Sequence, residues 1–189
     1  SDLGHLTDME FIEQIGRQGD LLMACLDCLR VERNEWTPSE STVGPALLEE
    51  MKGVNGKILV TLMSSHLHRI QQTVNACQEL GRKVVFVGRS VEQNVQTAIQ
   101  SKSLNIPKGL MVDKKKIKEI PDEKLCIIIA GSQGQEGSSL VRAVYGDHQI
   151  VQISNRDKVI FSADVIPGNE IPYYSAVDQL AADEVDVVY

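Results

Sequence analysis

The sequence has no run near the roughly 18 consecutive apolar residues that a membrane-spanning helix needs, and its first residues do not read as a signal peptide. We therefore expect a cytosolic (cytoplasmic) protein with no membrane partner. Positive charge is also scarce: 19 lysines and arginines against 26 acids leave a net charge of −7. That argues against a surface coated in basic patches for nucleic acid, but it leaves room for a local cationic cleft. The densest basic run, Lys114-Lys-Lys116 with Lys118, is expected to be a solvated loop or helix face. Cysteines are few, four in 189 residues. Cys25 and Cys28 have CxxC spacing, which suits redox chemistry or half a zinc site. No second CxxC or well-spaced Cys/His pair completes such a site, and the pair ends a strand pattern instead of opening a helix. Cys77 and Cys126 fall in apolar patterns and read as core thiols.

Catalytic signatures are missing too. No Gly-Lys-Ser/Thr follows a glycine-rich turn, there is no GxGxxG, and there is no GxSxG elbow for nucleophilic hydrolysis. His66 and His68 form an HxH pair, but with no nearby carboxylate or third histidine they leave a metal site incomplete.

What is present is alternation of short apolar runs with helical patterns. Strands are expected at 21–26, 57–62, 83–88, 125–130, 149–153, 158–162 and 185–189. Helices are expected at 7–17 (with Thr7 and Glu10 as a capping box), 39–52, 64–81, 91–101, 138–145 and 173–182, with a short basic helix within 103–121. Short connections between alternating elements imply an α/β fold: a mostly parallel, open, Rossmann-like sheet flanked by helices on both faces. No repeat or linker divides it, so one domain over 1–189 is expected. The last strand runs to the final residue, as in a piece cut from a longer chain.

The stretch Leu125-Cys-Ile-Ile-Ile-Ala130 is the centre of this pattern, since three consecutive isoleucines read as a strand buried on both faces. It runs into Gly131-Ser-Gln-Gly134, a turn rich in glycine and hydrogen-bonding side chains. In parallel sheets ligands gather at such strand ends, where amides and a helix N-terminus can face an anion. Ser132, Gln133 and Ser139 are thus candidate contacts, the bland alternative being a tight strand-to-helix turn. Ser65, His68 and Arg69 lie within one turn at a helix start, which suits a phosphate; equally, a serine there could only cap the helix. Asp27 ends an apolar run and is either a turn cap or a site residue. These residues leave three readings open: a nucleic-acid phosphate contact, a nucleotide- or phosphate-binding domain of a small-molecule enzyme or sensor, or an interaction or structural domain whose polar turns are only caps.

Five motifs in order narrow the choice. Glu32-Arg33 with Thr37-Pro-Ser-Glu40, Ser65-His-Leu-His-Arg-Ile-Gln-Gln72, Gly81-Arg-Lys-Val84 with Val87-Gly-Arg-Ser90, Gly131-Ser-Gln-Gly134 and Ile166-Pro-Gly-Asn-Glu170 resemble bacterial ribonuclease J, and within it the β-CASP domain inserted in a metallo-β-lactamase fold. The resemblance covers about residues 20–189. It implies a metal-dependent 5′ exo- or endoribonuclease of RNA processing and decay, with two zinc ions held by an HxHxDH motif and further ligands in the metallo-β-lactamase part. That motif is absent here, because Arg69 and Ile70 follow His68. The chain is then expected to hold single-stranded RNA, to bind no cofactor itself, to be inactive alone, and to partner the metallo-β-lactamase domain of its own protein, in a homodimer or tetramer. Asp27 takes the place of an acid bordering the family's active site, where Ser-Asp-Ser-Thr is replaced by Leu26-Asp27-Cys28-Leu29. Ser65, His68 and Arg69 match one phosphate-contacting turn, and Ser132, Gln133 and Ser139 the other. Gln135 stands where the family commonly has glutamate, with Glu136 one step later.

Overall fold

The computed structural model describes residues 3, 6–26, 28, 31, 34 and 36–189. They divide into two compact units, 1–42 and 43–189. In the first unit, α1 (Met9–Gln18) starts at Asp8, whose side chain accepts the N–H of Phe11 at 2.9 Å. The cap is therefore Asp8 and not Thr7. The strand expected at 21–26 does not form: Leu21, Leu22, Met23 and Leu26 are exposed and, among the described residues, pair with no strand. An apolar run becomes a buried strand only where a sheet receives it. Cys25 and Cys28 are exposed free thiols, and Asp27 lies outside the described residues.

The second unit contains α2 (Val43–Met51), β1 (Ile58–Thr61), α3 (Leu67–Glu79), β2 (Lys83–Val87), α4 (Arg89–Gln100), β3 (Leu125–Ile129), α5 (Ser139–Val144), β4 (Lys158–Phe161), α6 (Glu170–Ala182) and β5 (Asp186–Val188). The five strands form one parallel sheet in the order β2-β3-β1-β4-β5. Alternate side chains feed two cores. Ile58, Val60, Val84, Phe86, Cys126 and Ile128 pack with α2, α3 and α4, while Leu59, Val85, Val87, Ile127, Ile129 and Val159 pack with α5 and α6. This double burial is why these strands read as unbroken apolar runs.

A small feature completes the topology. Met111 makes an isolated parallel bridge to Val84, with Val84 donating to the Leu110 carbonyl and Val112 donating back to Val84. The chain thus steps from β2 through α4 to a minimal strand outside β2. It then returns over the opposite face, where Ile117 packs, to reach β3. Steps toward one edge carry their helices on one face and steps toward the other edge on the opposite face. All crossovers then share one hand, as the right-handed rule requires.

The expected strand at 149–153 is absent. His148 Nδ1 accepts the N–H groups of Ile150 at 3.2 Å and Val151 at 3.0 Å, so the ring takes the donors a sheet ladder would need. α6 begins three residues earlier than the pattern implied, with Pro172 in its first turn, where no intrahelical N–H is required. Among the described residues no helix is long and apolar enough to cross a membrane.

Candidate functional site

β3 sits between β2 and β1. β1 and β2 lead into helices on one face, whereas β3 leads into α5 on the other, so the carboxyl end of β3 is flanked on both sides by chains that leave in the opposite direction. Such a switch point opens a crevice. Here it has a volume of about 720 Å³ and is lined from three strand ends: Leu62, Met63 and Ser64 after β1, Gly88, Arg89 and Ser90 after β2, and 130–132 with 135–139 after β3.

The loop after β3 is shaped by close packing. Gly134 donates to the Gly131 carbonyl at 3.0 Å and Leu140 to that of Ala130 at 2.9 Å. Gly134 has φ +68°, and a Cβ there would lie 2.3 Å from the Pro172 carbonyl oxygen in the first turn of α6. Beside it, Gln133 is 2% exposed. Its Nε2 donates to the Asp164 carbonyl at 3.0 Å, and its Oε1 accepts the Ile166 N–H at 2.8 Å and Asn169 Nδ2 at 3.5 Å. Both ends of the amide are occupied in tying the Gly-Ser-Gln-Gly turn to the segment leading into α6. Across the crevice, Asn94 Nδ2 donates to the Ser64 carbonyl at 2.9 Å, pinning the β1 turn to α4.

The crevice is rich in donors. Ser132 is nearly buried, and its hydroxyl donates to the thioether of Met63 at 3.8 Å, a weak acceptor that a better one can replace. Ser139 lines the wall beside Arg142, one helical turn on, and Arg89 enters from the start of α4. Against these two guanidiniums stands one acid, Glu136. Gln135, neutral, lines the crevice where the resemblance placed a glutamate. In a chain of net charge −7 this is a local inversion of sign, and with the N-terminal dipole of α4 it favours an anion.

The expected residues therefore separate. Ser132 and Ser139 line the crevice and Gln133 braces it from beneath. Ser65, His68 and Arg69 are not among its lining residues: Ser65 and His68 are exposed, and Arg69 Nη1 donates to the Ser162 carbonyl at 2.8 Å at the end of β4. Arg89 and Arg142 line the crevice without being among the residues expected from the sequence. Arg142 had a usable signal, its i+3 spacing from Ser139. Of the basic run, Lys115, Lys116 and Lys118 are solvated, while Lys114 pairs with Glu92 at 2.7 Å.

The residues present do not fit a metal centre. The His66 and His68 rings stand edge to face, 6.5 Å apart, and among the described residues no three His, Cys, Asp or Glu side chains converge.

Residues 55–180 match the family model described as "Ribonuclease J, beta-CASP domain", two thirds of the chain. The chain belongs to the ribonuclease J β-CASP family. Ribonuclease J of Mycolicibacterium smegmatis is 33% identical over 94% of this chain and 32% of its own length. Ribonuclease J 1 of Streptococcus pyogenes is 29% identical over 99% and 33%, and ribonuclease J of Helicobacter pylori 31% identical over 97% and 26%. The chain thus spans about a third or less of the curated relatives it matches. Within the ribonuclease J β-CASP match fall the whole switch-point crevice, Arg89 and Arg142 included, and all but the end of α6.

Proposed function

We propose that residues 43–189 hold single-stranded RNA by its backbone phosphates in the crevice at the end of β3, as the RNA-binding domain of a ribonuclease J-like enzyme of RNA processing and decay. The observation that carries this is the convergence of Arg89, Arg142, Ser132 and Ser139 at the switch point of a β-CASP family chain. The guanidiniums neutralise phosphates, the hydroxyls donate to their oxygens, and Gln133 holds the loop in register. Ser65, His68 and Arg69 make a separate contact further along the strand, and Asp27 borders the active site.

For the whole protein we propose a metallo-β-lactamase portion carrying two zinc ions, exo- or endonucleolytic cutting, a homodimer or tetramer, and a cytoplasmic place. In this reading the chain supplies the RNA-holding crevice, and the cutting is assigned to the metallo-β-lactamase portion.

Titration of a fluorescent single-stranded oligoribonucleotide at several salt concentrations tests the reading. The two phosphates neutralised by Arg89 and Arg142 contribute about −1.4 to the slope of log affinity against log salt, about sevenfold of the weakening from 50 to 200 mM salt. Arg142→Ala lowers the slope by about 0.7. Salt-independent binding, or a slope unchanged in the variant, removes the crevice from the account. RNA cleavage by this chain with added zinc or manganese refutes the placement of the metal centre elsewhere.

A further inference from the structure

Beside the crevice, and sharing Gly88, Arg89, Ser139 and Arg142 with it, lies a second cavity of about 370 Å³, walled by Lys114, Glu92 and His148 at the end of β2. Three cations and a histidine surround it, with one acid. That acid is already engaged. Both oxygens of Glu92 lie 2.7 Å from Lys114 Nζ, and Oε1 also accepts the N–H of Gly88 at 3.0 Å. Two guanidiniums line the cavity, and among the described residues Arg142 donates to the Asp147 carbonyl at 3.4 Å.

His148 sets the polarity of the remaining wall. It is 7% exposed, and its Nδ1 accepts two backbone N–H groups. The ring is therefore held in the neutral tautomer with the proton on Nε2, a donor. Burial first, then Arg142 and Lys114, lower its pKa. Guanidinium, Nε2–H and the Ser139 hydroxyl make a wall of donors with no free carboxylate. Such a wall suits an anion with several acceptor oxygens, and the volume is that of a small-molecule site, with room for more than a bare ion.

Building on the reading of the crevice as an RNA site, we propose that this cavity is a second nucleotide-phosphate subsite, contiguous with the first through Arg89 and Arg142. The shared chemistry is a phosphate on a nucleoside, supplied either by an RNA strand that continues from the crevice or by a free nucleoside monophosphate. Ser132 belongs to the crevice alone and His148 and Lys114 to the cavity alone, so the two sites can be separated experimentally.

The test is amide and histidine-ring NMR on the chain titrated with a short oligouridylate, uridine 5′-monophosphate and inorganic phosphate. The expected result is saturable shifts of the Ile150 and Val151 amides and the His148 ring with both nucleotides. The oligonucleotide alone spanning both sites assigns the source to the strand; the monophosphate binding the cavity as tightly assigns it to the free nucleotide. In His148→Asn, which keeps an acceptor for the two amides and loses the reach of Nε2–H, binding at the cavity weakens about tenfold. Lys114→Gln, which uncovers the charge of Glu92, weakens it as well. Oligouridylate shifts that are lost in Ser132→Ala but leave residues 148–151 unmoved overturn the subsite while the crevice stands. Monophosphate binding at 148–151 with no response of the crevice to RNA supports the subsite and overturns the crevice. Inorganic phosphate binding as tightly as the monophosphate overturns the assignment to a nucleotide, and no response to any ligand overturns both.

Discussion

Gly134 and Gly137 offer an internally controlled experiment on the loop that shapes the crevice. They have nearly the same backbone angle, φ +68° and +69°, so alanine at either carries the same left-handed strain, about 1 kcal/mol. Any gain from a stiffer unfolded chain is also common to both. They differ in space. A Cβ at Gly137 meets nothing within 4 Å, whereas one at Gly134 lies 2.3 Å from the Pro172 oxygen, 2.4 Å from its carbonyl carbon and 2.7 Å from the Tyr173 nitrogen. All three are backbone atoms in the first turn of α6, so no flexible side chain can give way. Relief requires the loop and α6 to part, disturbing the buried Tyr173 ring, which packs edge to face on Phe161 at 5.0 Å. Overpacking of this kind costs about 1–3 kcal/mol. Gly134→Ala should therefore lose about 2–4 kcal/mol and Gly137→Ala about 1. At about 2–4 °C per kcal/mol for a chain of this size, the melting temperatures fall by about 4–16 °C and 2–4 °C respectively. Thermal denaturation by circular dichroism, with RNA affinity measured below the transition, reads both. Equal melting temperatures for the two variants would refute the close approach of loop and α6.

Other outcomes follow from the same geometry. Gln133→Leu removes the amide that satisfies the Asp164 carbonyl and the Ile166 N–H. It should cost about 1–3 kcal/mol and speed proteolysis within 162–169 at native temperature; unchanged cleavage there contradicts the bracing role. His148 is held below its ordinary pKa, so the unfolded chain takes up the proton first and stability rises with pH through that window. Acidification from about pH 6.5 downward should destabilise the protein more than it destabilises His148→Asn, and parallel stability curves would dismiss the buried neutral ring.

The sheet was legible because β1, β2, β3 and β4 are buried on both faces, and double burial writes continuous apolar runs into the sequence. Legibility failed where a local partner competed with the ladder. At 149–153 the apolar pattern is real and Val151 is buried, but a histidine ring captures the donors. At 21–26 the apolar run has, among the described residues, no strand to pair with. The Met111 bridge is a single residue pair, too short to leave any periodicity, yet without it the crossover hands do not agree. In the site, Ser132 and Ser139 were readable as polar positions at the end of a buried strand. Arg89 was readable only as a turn residue, because its partners depend on β2 lying next to β3. That strand order is a tertiary fact that no local pattern records.

Crosslinking reads directly whether the crevice at the end of β3 holds the RNA backbone. A single-stranded oligonucleotide carrying 4-thiouridine at successive positions would be irradiated on the protein and the attached peptides mapped. Attachment is expected within residues 62–64, 88–90 and 131–142, diminished by high salt and by Arg142→Ala. Attachment confined to the exposed lysines of 115–118 or to the outer face of α6, or insensitive to both perturbations, would contradict an RNA backbone held in the crevice.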